Sequence, residues 1–353
     1  MTTPFERIRA TSHATLPHGP GSVQIECIDM HTGGEPVRVL LAGAPEPAGE
    51  TVLARRRAML ERHDDVRRLL MWEPRGHADM YGLLLLPPER EDSDFGVLFL
   101  HNEGSSTMCG HATLAIAKLA VLLGWVEHDG RRAEVRIDAP CGPLRATVEL
   151  EDDVVTAVRF TNVPSFVVDL EQTVTLEDGR SVTCDIAYGG AFYAYVDAAR
   201  FGLDLVPENY AEIVKQGRAV KRAVQASRAI EHPYEEDLGF LYGTIFIAPT
   251  ETPGCHSRNV CVFADGEVDR SPTGSGVSGR AAIHHARGEL GACEELFIES
   301  LVGSTMGVEI VDHCVYGPYR AVVPRVSGDA WITGTATFVL YPADPFQEGF
   351  LLR

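Results

Sequence analysis

Short apolar runs, several alternating with polar residues, dominate the chain. Residues 23–28, 37–41, 82–86, 95–100, 146–150, 154–161, 192–196, 242–247 and 260–263 each read as a β-strand. Helical periodicity is rarer. Residues 50–68 carry the charge and spacing of an exposed helix, 112–125 those of a buried one and 210–229 those of an amphipathic one. A further helix is expected over about 277–287, and 330–341 reads as a strand that could return to either half. A buried helix among strands in each half predicts α+β or α/β-barrel-like domains.

The halves repeat. Asp29-Met-His-Thr-Gly33-Gly34 precedes the apolar run from Val37, and Asp185-Ile-Ala-Tyr-Gly189-Gly190 precedes the run from Phe192. Further on, Cys109 stands just before one predicted helix and Thr273 just before another, 80 residues after Asp29 and 88 after Asp185. Each helix is followed by a strand and a glycine turn ending at Gly142 and Gly303. Two related domains would bring two helix N-termini face to face across a cleft, where ligand sites form. The expected division is an N-terminal extension at 1–22, a first domain at 23–162 and a second at 163–329, with 330–353 able to complete the first.

A chain of 353 residues fits two domains of about 150 each. With 45% hydrophobic and 23% charged residues it has a globular composition. The net charge of −19 repels phosphate backbones, so nucleic acid is not an expected partner. The longest apolar stretch, 114–125, is interrupted by Lys118 and is too short to span a membrane. The first twenty-odd residues lack the apolar core of a secretory signal and read as a flexible extension. Eight cysteines without close pairing motifs suit a reducing cytoplasm, and Cys27, Cys184 and Cys261 read as small core residues.

Cys109 has a different setting. A thiol at a helix start is expected to have a lowered pKa, and Gly104-Ser-Ser-Thr and Gly110 leave the backbone near its sulfur open. It could act as nucleophile, metal ligand or proton acceptor. Cys109 and His111 supply two ligand types, but Cys255-His256 and His284-His285 are not clearly grouped with them, so no metal is expected. The first-turn N–H groups of Gly110, His111, Gly274 and Ser275 suit a carboxylate. A carboxylate held there, with a thiolate beside its α-carbon, points to proton abstraction from an amino or imino acid.

The motifs Asp29-Met-His-Thr-Gly-Gly-Glu-Pro-Val-Arg38, Glu73-Pro-Arg-Gly-His-Ala-Asp-Met80, Met108-Cys-Gly-His111 and Asp269-Arg-Ser-Pro272 resemble the signatures of the proline racemase family. The resemblance implies an α+β fold of two pseudo-symmetric domains of the diaminopimelate epimerase type, each a barrel-like sheet around a central helix. The active site would lie in the interdomain cleft, with no cofactor. The partner would be a small imino acid, and a homodimer is consistent with the resemblance. Racemases of the family use two cysteines, one on each face of the substrate. Here Thr273 replaces the second, and an aliphatic hydroxyl is no comparable base.

The Cys109–Thr273 pair is similar to that of the family's trans-3-hydroxy-L-proline dehydratases. It implies dehydration to a pyrroline carboxylate, with epimerisation of 4-hydroxyproline or racemisation of proline as the alternative. In trans-3-hydroxy-L-proline the hydroxyl and the α-hydrogen share a ring face. Cys109 would then remove the α-proton, and either its thiol or His111 would protonate the departing oxygen. Asp269 would hold the ring ammonium, and Gly110, His111, Gly274 and Ser275 the carboxylate. Thr273 would line the opposite face.

Overall fold

The structure, a computed structural model, describes residues 19–291 and 294–352, so 1–18 of the expected extension lie outside the described residues. The described helices are α1 (Val52–Arg62), α2 (Asp64–Met71), α3 (Gly110–Leu122), α4 (Tyr210–Ser227) and α5 (Gly274–Ala286). None is long and apolar enough to cross a membrane. The single helix expected over 50–68 is two, because His63 leaves helical geometry at φ −134°. Asp64 then opens α2, ion-paired to Arg67 on its next turn.

Both halves use one strand plan. In the first, Val23–Thr32 pairs antiparallel with Glu35–Ala42, which runs parallel to Tyr81–Leu86. The sheet continues through Phe95–His101, Arg132–Ala139, Gly142–Glu151 and Val154–Thr161. The second half repeats these directions in order with Ser181–Tyr188, Phe192–Asp197, Leu241–Ala248, Ser257–Phe263, Leu296–Glu299, Thr305–Tyr316 and Tyr319–Gly328. The repeated Asp and Gly pair thus marks the first hairpin of each half. In one of them Asp29 lies opposite Arg38, whose guanidinium meets both carboxylate oxygens at 2.9 Å.

Each sheet is completed by a strand that follows the other half's last strand along the chain. Ser165–Thr175 follows the first half along the chain but pairs with Ser181–Tyr188 and Tyr319–Gly328, closing an eight-stranded barrel. Ala330–Leu340 follows the second half and pairs with Val23–Thr32 of the first. Tyr319–Gly328 also pairs with Val154–Thr161, so the two sheets are continuous. Sequence pattern missed Ser165–Thr175, Thr305–Tyr316 and Tyr319–Gly328; the outer ends of the first two are largely exposed and carry weak apolar alternation.

A helix fills each barrel. α3 is buried from Gly110 through Val121, as a helix with apolar residues on every side must be. α5 is also buried but consists largely of small residues, because its barrel closes tightly on it. A Cβ on Gly276 would come within 2.4 Å of Ile245 Cδ1, and one on Gly279 within 2.0 Å of the Tyr195 hydroxyl.

The two helices meet end to end. A Cβ built on Gly110 would lie 2.5 Å from Gly274 Cα, and one built on Gly274 would lie 2.6 Å from Gly110 Cα. Backbone on both sides leaves a methyl group no space. Gly110→Ala should therefore cost about 1–3 kcal/mol or more of stability, as overpacking does. Urea unfolding would measure it, and an unchanged midpoint would mean that the helix ends are not in this contact.

Candidate active site

Cys109 is the residue before α3. Its extended backbone (φ −143°, ψ 111°) lets Sγ accept from the Ala112 N–H at 3.4 Å, in the manner of a capping side chain. Thr113 donates its hydroxyl to the Cys109 carbonyl at 2.6 Å, and Thr32 donates to the His111 carbonyl at 2.9 Å. These contacts hold the sulfur and the His111 ring together, with Nδ1 3.1 Å from Sγ.

Thr273 occupies the same place before α5 but not the same conformation. Its φ is +69°, a left-handed value that strains a β-branched residue. Its buried Oγ1 makes no formed hydrogen bond, although it lies close enough to the Asp269 carboxyl and the Cys261 thiol to favour their charged forms. The Ser271 N–H donates to Asp269 Oδ1 at 2.7 Å. Ser275 is fixed by the Tyr193 hydroxyl at 2.8 Å.

Cys109, Gly110, His111, Asp269, Thr273, Gly274 and Ser275 all line one cavity at the helix junction. Its volume is about 20 Å³, space for a water but not for a ring. Tyr81, Met108, Tyr193, Tyr242, Cys261 and Phe263 complete the wall, and none of these six was singled out from sequence as a site residue. A signal was present for two of them. Tyr81-Gly82 and Tyr242-Gly243 stand at the start of corresponding strands, so the repeat extends to the aromatic walls.

Burial controls the electrostatics. It pushes the Cys109 thiol well above its ordinary range, while the Ala112 amide and Tyr81 hydroxyl pull the other way; nearby Asp269 and Glu35 add to the rise. The lowering expected from the helix start is therefore overturned in the closed cavity, where loss of water outweighs the amide field. Burial likewise pushes His111 down to about 3, against the pull of the Pro36 carbonyl, and leaves its ring neutral. Asp269 is raised to about 6 by burial, with Ser271 and Thr273 opposing. Among the described residues no three His, Cys, Asp or Glu side chains are grouped to hold a metal ion.

The proline racemase family model matches residues 27–351. This chain belongs to the proline racemase family. It is 47% identical to a trans-3-hydroxy-L-proline dehydratase of Colwellia psychrerythraea, over 93% of each chain. It is 47% identical to one of Homo sapiens, over 96% of this chain and 97% of the other. Among solved structures it resembles a hydroxyproline epimerase from Agrobacterium vitis with bound trans-4-hydroxy-L-proline. The TM-score is 0.87 at 27% identity, covering 93% of this chain and 96% of that one.

The raised Asp269 carboxyl has a consequence for stability. Between pH of about 4 and 6 the folded protein holds a proton that the unfolded chain has released, so stability falls as pH rises through that window. The loss persists above it and amounts to at most about 3 kcal/mol. Asp269→Asn should flatten this slope and be the more stable protein at pH 7.5. Urea midpoints at pH 4.5 and 7.5 would test this, and parallel slopes for the two proteins would contradict it.

Proposed function

We propose that this protein dehydrates trans-3-hydroxy-L-proline to Δ1-pyrroline-2-carboxylate. The observation that carries the reading is that Thr273, not a cysteine, holds the place before α5 that Cys109 holds before α3; the other thiol in the cavity wall, Cys261, belongs to the strand Ser257–Phe263. The relatives at 47% identity, both trans-3-hydroxy-L-proline dehydratases, support it over the epimerase alternative.

Each proposed step is assigned to a group at the junction. The first-turn N–H groups at the junction take the carboxylate, and ionised Asp269 takes the ring ammonium. Cys109 Sγ accepts the α-proton. The C–H electrons form a double bond between the α- and β-carbons, and the β-carbon–oxygen bond breaks. The departing hydroxide takes up the proton now on sulfur and leaves as water, on the ring face where the α-hydrogen was. The enamine left behind tautomerises to the cyclic imine.

His111, with its ring held neutral, is the weaker choice of acid; its nitrogen 3.1 Å from Sγ orients the sulfur. Thr273 cannot deliver a proton to the opposite face as a second thiol would, so water is lost instead of the α-centre being inverted. Because burial disfavours the thiolate, Cys109 ionises while the cleft is open and wet, and closure then traps it beside the substrate's ammonium.

Proton NMR in D2O, with trans-3-hydroxy-L-proline, trans-4-hydroxy-L-proline and L-proline in separate tubes, tests the reading. Loss of the 3-hydroxy compound alone, with a pyrroline carboxylate appearing, is expected. Deuterium entering the α-position of either of the others with epimer formation would replace it by epimerisation or racemisation. Cys109→Ser should lower turnover by about a thousandfold or more. Thr273→Cys should introduce α-proton exchange with epimerisation, and a folded variant with unaltered chemistry would remove Thr273 from the account. kcat/KM should rise with pH through about 6 as Asp269 ionises, and continue to rise as the thiol does.

A further inference from the structure

A groove of roughly 510 Å³ lies between α1 of the first half and α4 of the second. Arg56 and Leu60 form one bank, and Arg218, Lys221, Arg222 and Gln225 the other. Tyr242 lines both this groove and the catalytic cavity, and groove residue His101 packs on the cavity residues Tyr81 and Phe263. The Tyr242 hydroxyl is buried and makes no formed hydrogen bond, although it lies close enough to the Ser106 side chain to feel it.

The groove is basic in a chain of net charge −19. Four cations meet two acids, Glu103 and Asp265, and Asp265 is ion-paired to Arg218 at 3.0 Å. The other three cations form no ion pair among the described residues. Arg56 donates to the Ser105 carbonyl at 2.7 Å, and its Nε is buried without a partner. Lys221 reaches only the Ala264 carbonyl at 2.5 Å, and Arg222 is exposed. Burial holds both Arg56 and Lys221 below their ordinary pKa values, the state of cations whose lost hydration has not been replaced by an anion.

We propose that this groove is an anion-binding antechamber of the catalytic cavity, which receives small carboxylates and also accepts inorganic phosphate. The proposal rests on the imino acid reacting at Cys109. The substrate's carboxylate is drawn to Arg56, Lys221 and Arg222 by a local positive potential, and then passes Tyr242 to the helix junction as the cleft opens. Since the cations belong to both halves, an anion here also draws α1 and α4 together. The imino acid has no net charge, so the cations act on it at close range, with its carboxylate turned toward them and its ammonium away, and salt screens that attraction.

Calorimetry of inorganic phosphate with the full-length protein tests the site without turnover. Saturable binding at constant ionic strength is expected, weakened at least about fivefold in Arg222→Glu and restored in Arg222→Lys. Absence of binding to the unaltered protein would overturn the proposal even if dehydration is observed. Kinetics then distinguish an antechamber from a separate phosphate site. Phosphate should inhibit competitively, and Arg222→Glu should lower kcat/KM about three- to tenfold at low salt, with the difference vanishing at high salt. Phosphate binding without competition, or a defect in Arg222→Glu that is insensitive to salt, would overturn the antechamber. Failure of dehydration with phosphate binding intact would point to the proposed reaction, not to the anion site.

Discussion

The end-to-end contact of two helix N-termini is the constraint on which the rest of the molecule depends. Gly110 and Gly274 bring two backbones so close that no side chain fits between them. The same contact places the residues before the helices, Cys109 and Thr273, in the wall of one cavity. It also points the positive ends of two helix dipoles at one place, which is electrostatically costly unless an anion lies there. The junction is thus a place suited to an anion, with N–H groups offered by both barrels.

Strand exchange holds this junction. Were each barrel closed only by its own chain segment, the halves could separate freely; instead Ala330–Leu340 returns to complete the sheet of the first half, and Tyr319–Gly328 pairs with Val154–Thr161 across the two. Side chains add further ties. His101 meets Glu267 at 2.9 Å, and the Arg270 N–H donates to buried Glu35 at 2.8 Å while its guanidinium reaches the Asp79 carbonyl at 3.1 Å. Each of these ties crosses from one half to the other beside the catalytic cavity, so cleft geometry and fold stability are governed by the same contacts.

The cavity carries a conflict between binding and reactivity. Excluding water strengthens every donor aimed at a carboxylate, but it also favours the neutral forms of the Cys109 thiol and the Asp269 carboxyl. A zwitterionic ligand would resolve it, because an ammonium would favour ionised Asp269 and a carboxylate would suit the helix ends. Charge is thereby balanced only when the ligand is in place. The basic groove behind Tyr242 repeats the same logic one step further out.

Much of this was legible in the sequence because it is local or repeated. The strands with clear alternation, the buried helices α3 and α5, the paired Asp and Gly hairpins, and the placement of Cys109 and Thr273 before helices all follow from short-range pattern. The repeat also carried the expectation that the two helix starts face each other. Tertiary structure decided what depends on neighbours distant in sequence. The closure of one barrel by Ser165–Thr175 and the return of Ala330–Leu340 to the first half have no local signature, since pairing partners 150 or more residues apart leave no periodicity. Tyr193 and Tyr242 read as ordinary strand residues and Tyr81 as none, and their place in one cavity wall is set only when the barrels meet. The ionisation of Cys109 went against the local expectation for the same reason: a helix start favours the thiolate within one turn, whereas the desolvation that opposes it comes from both halves of the folded chain.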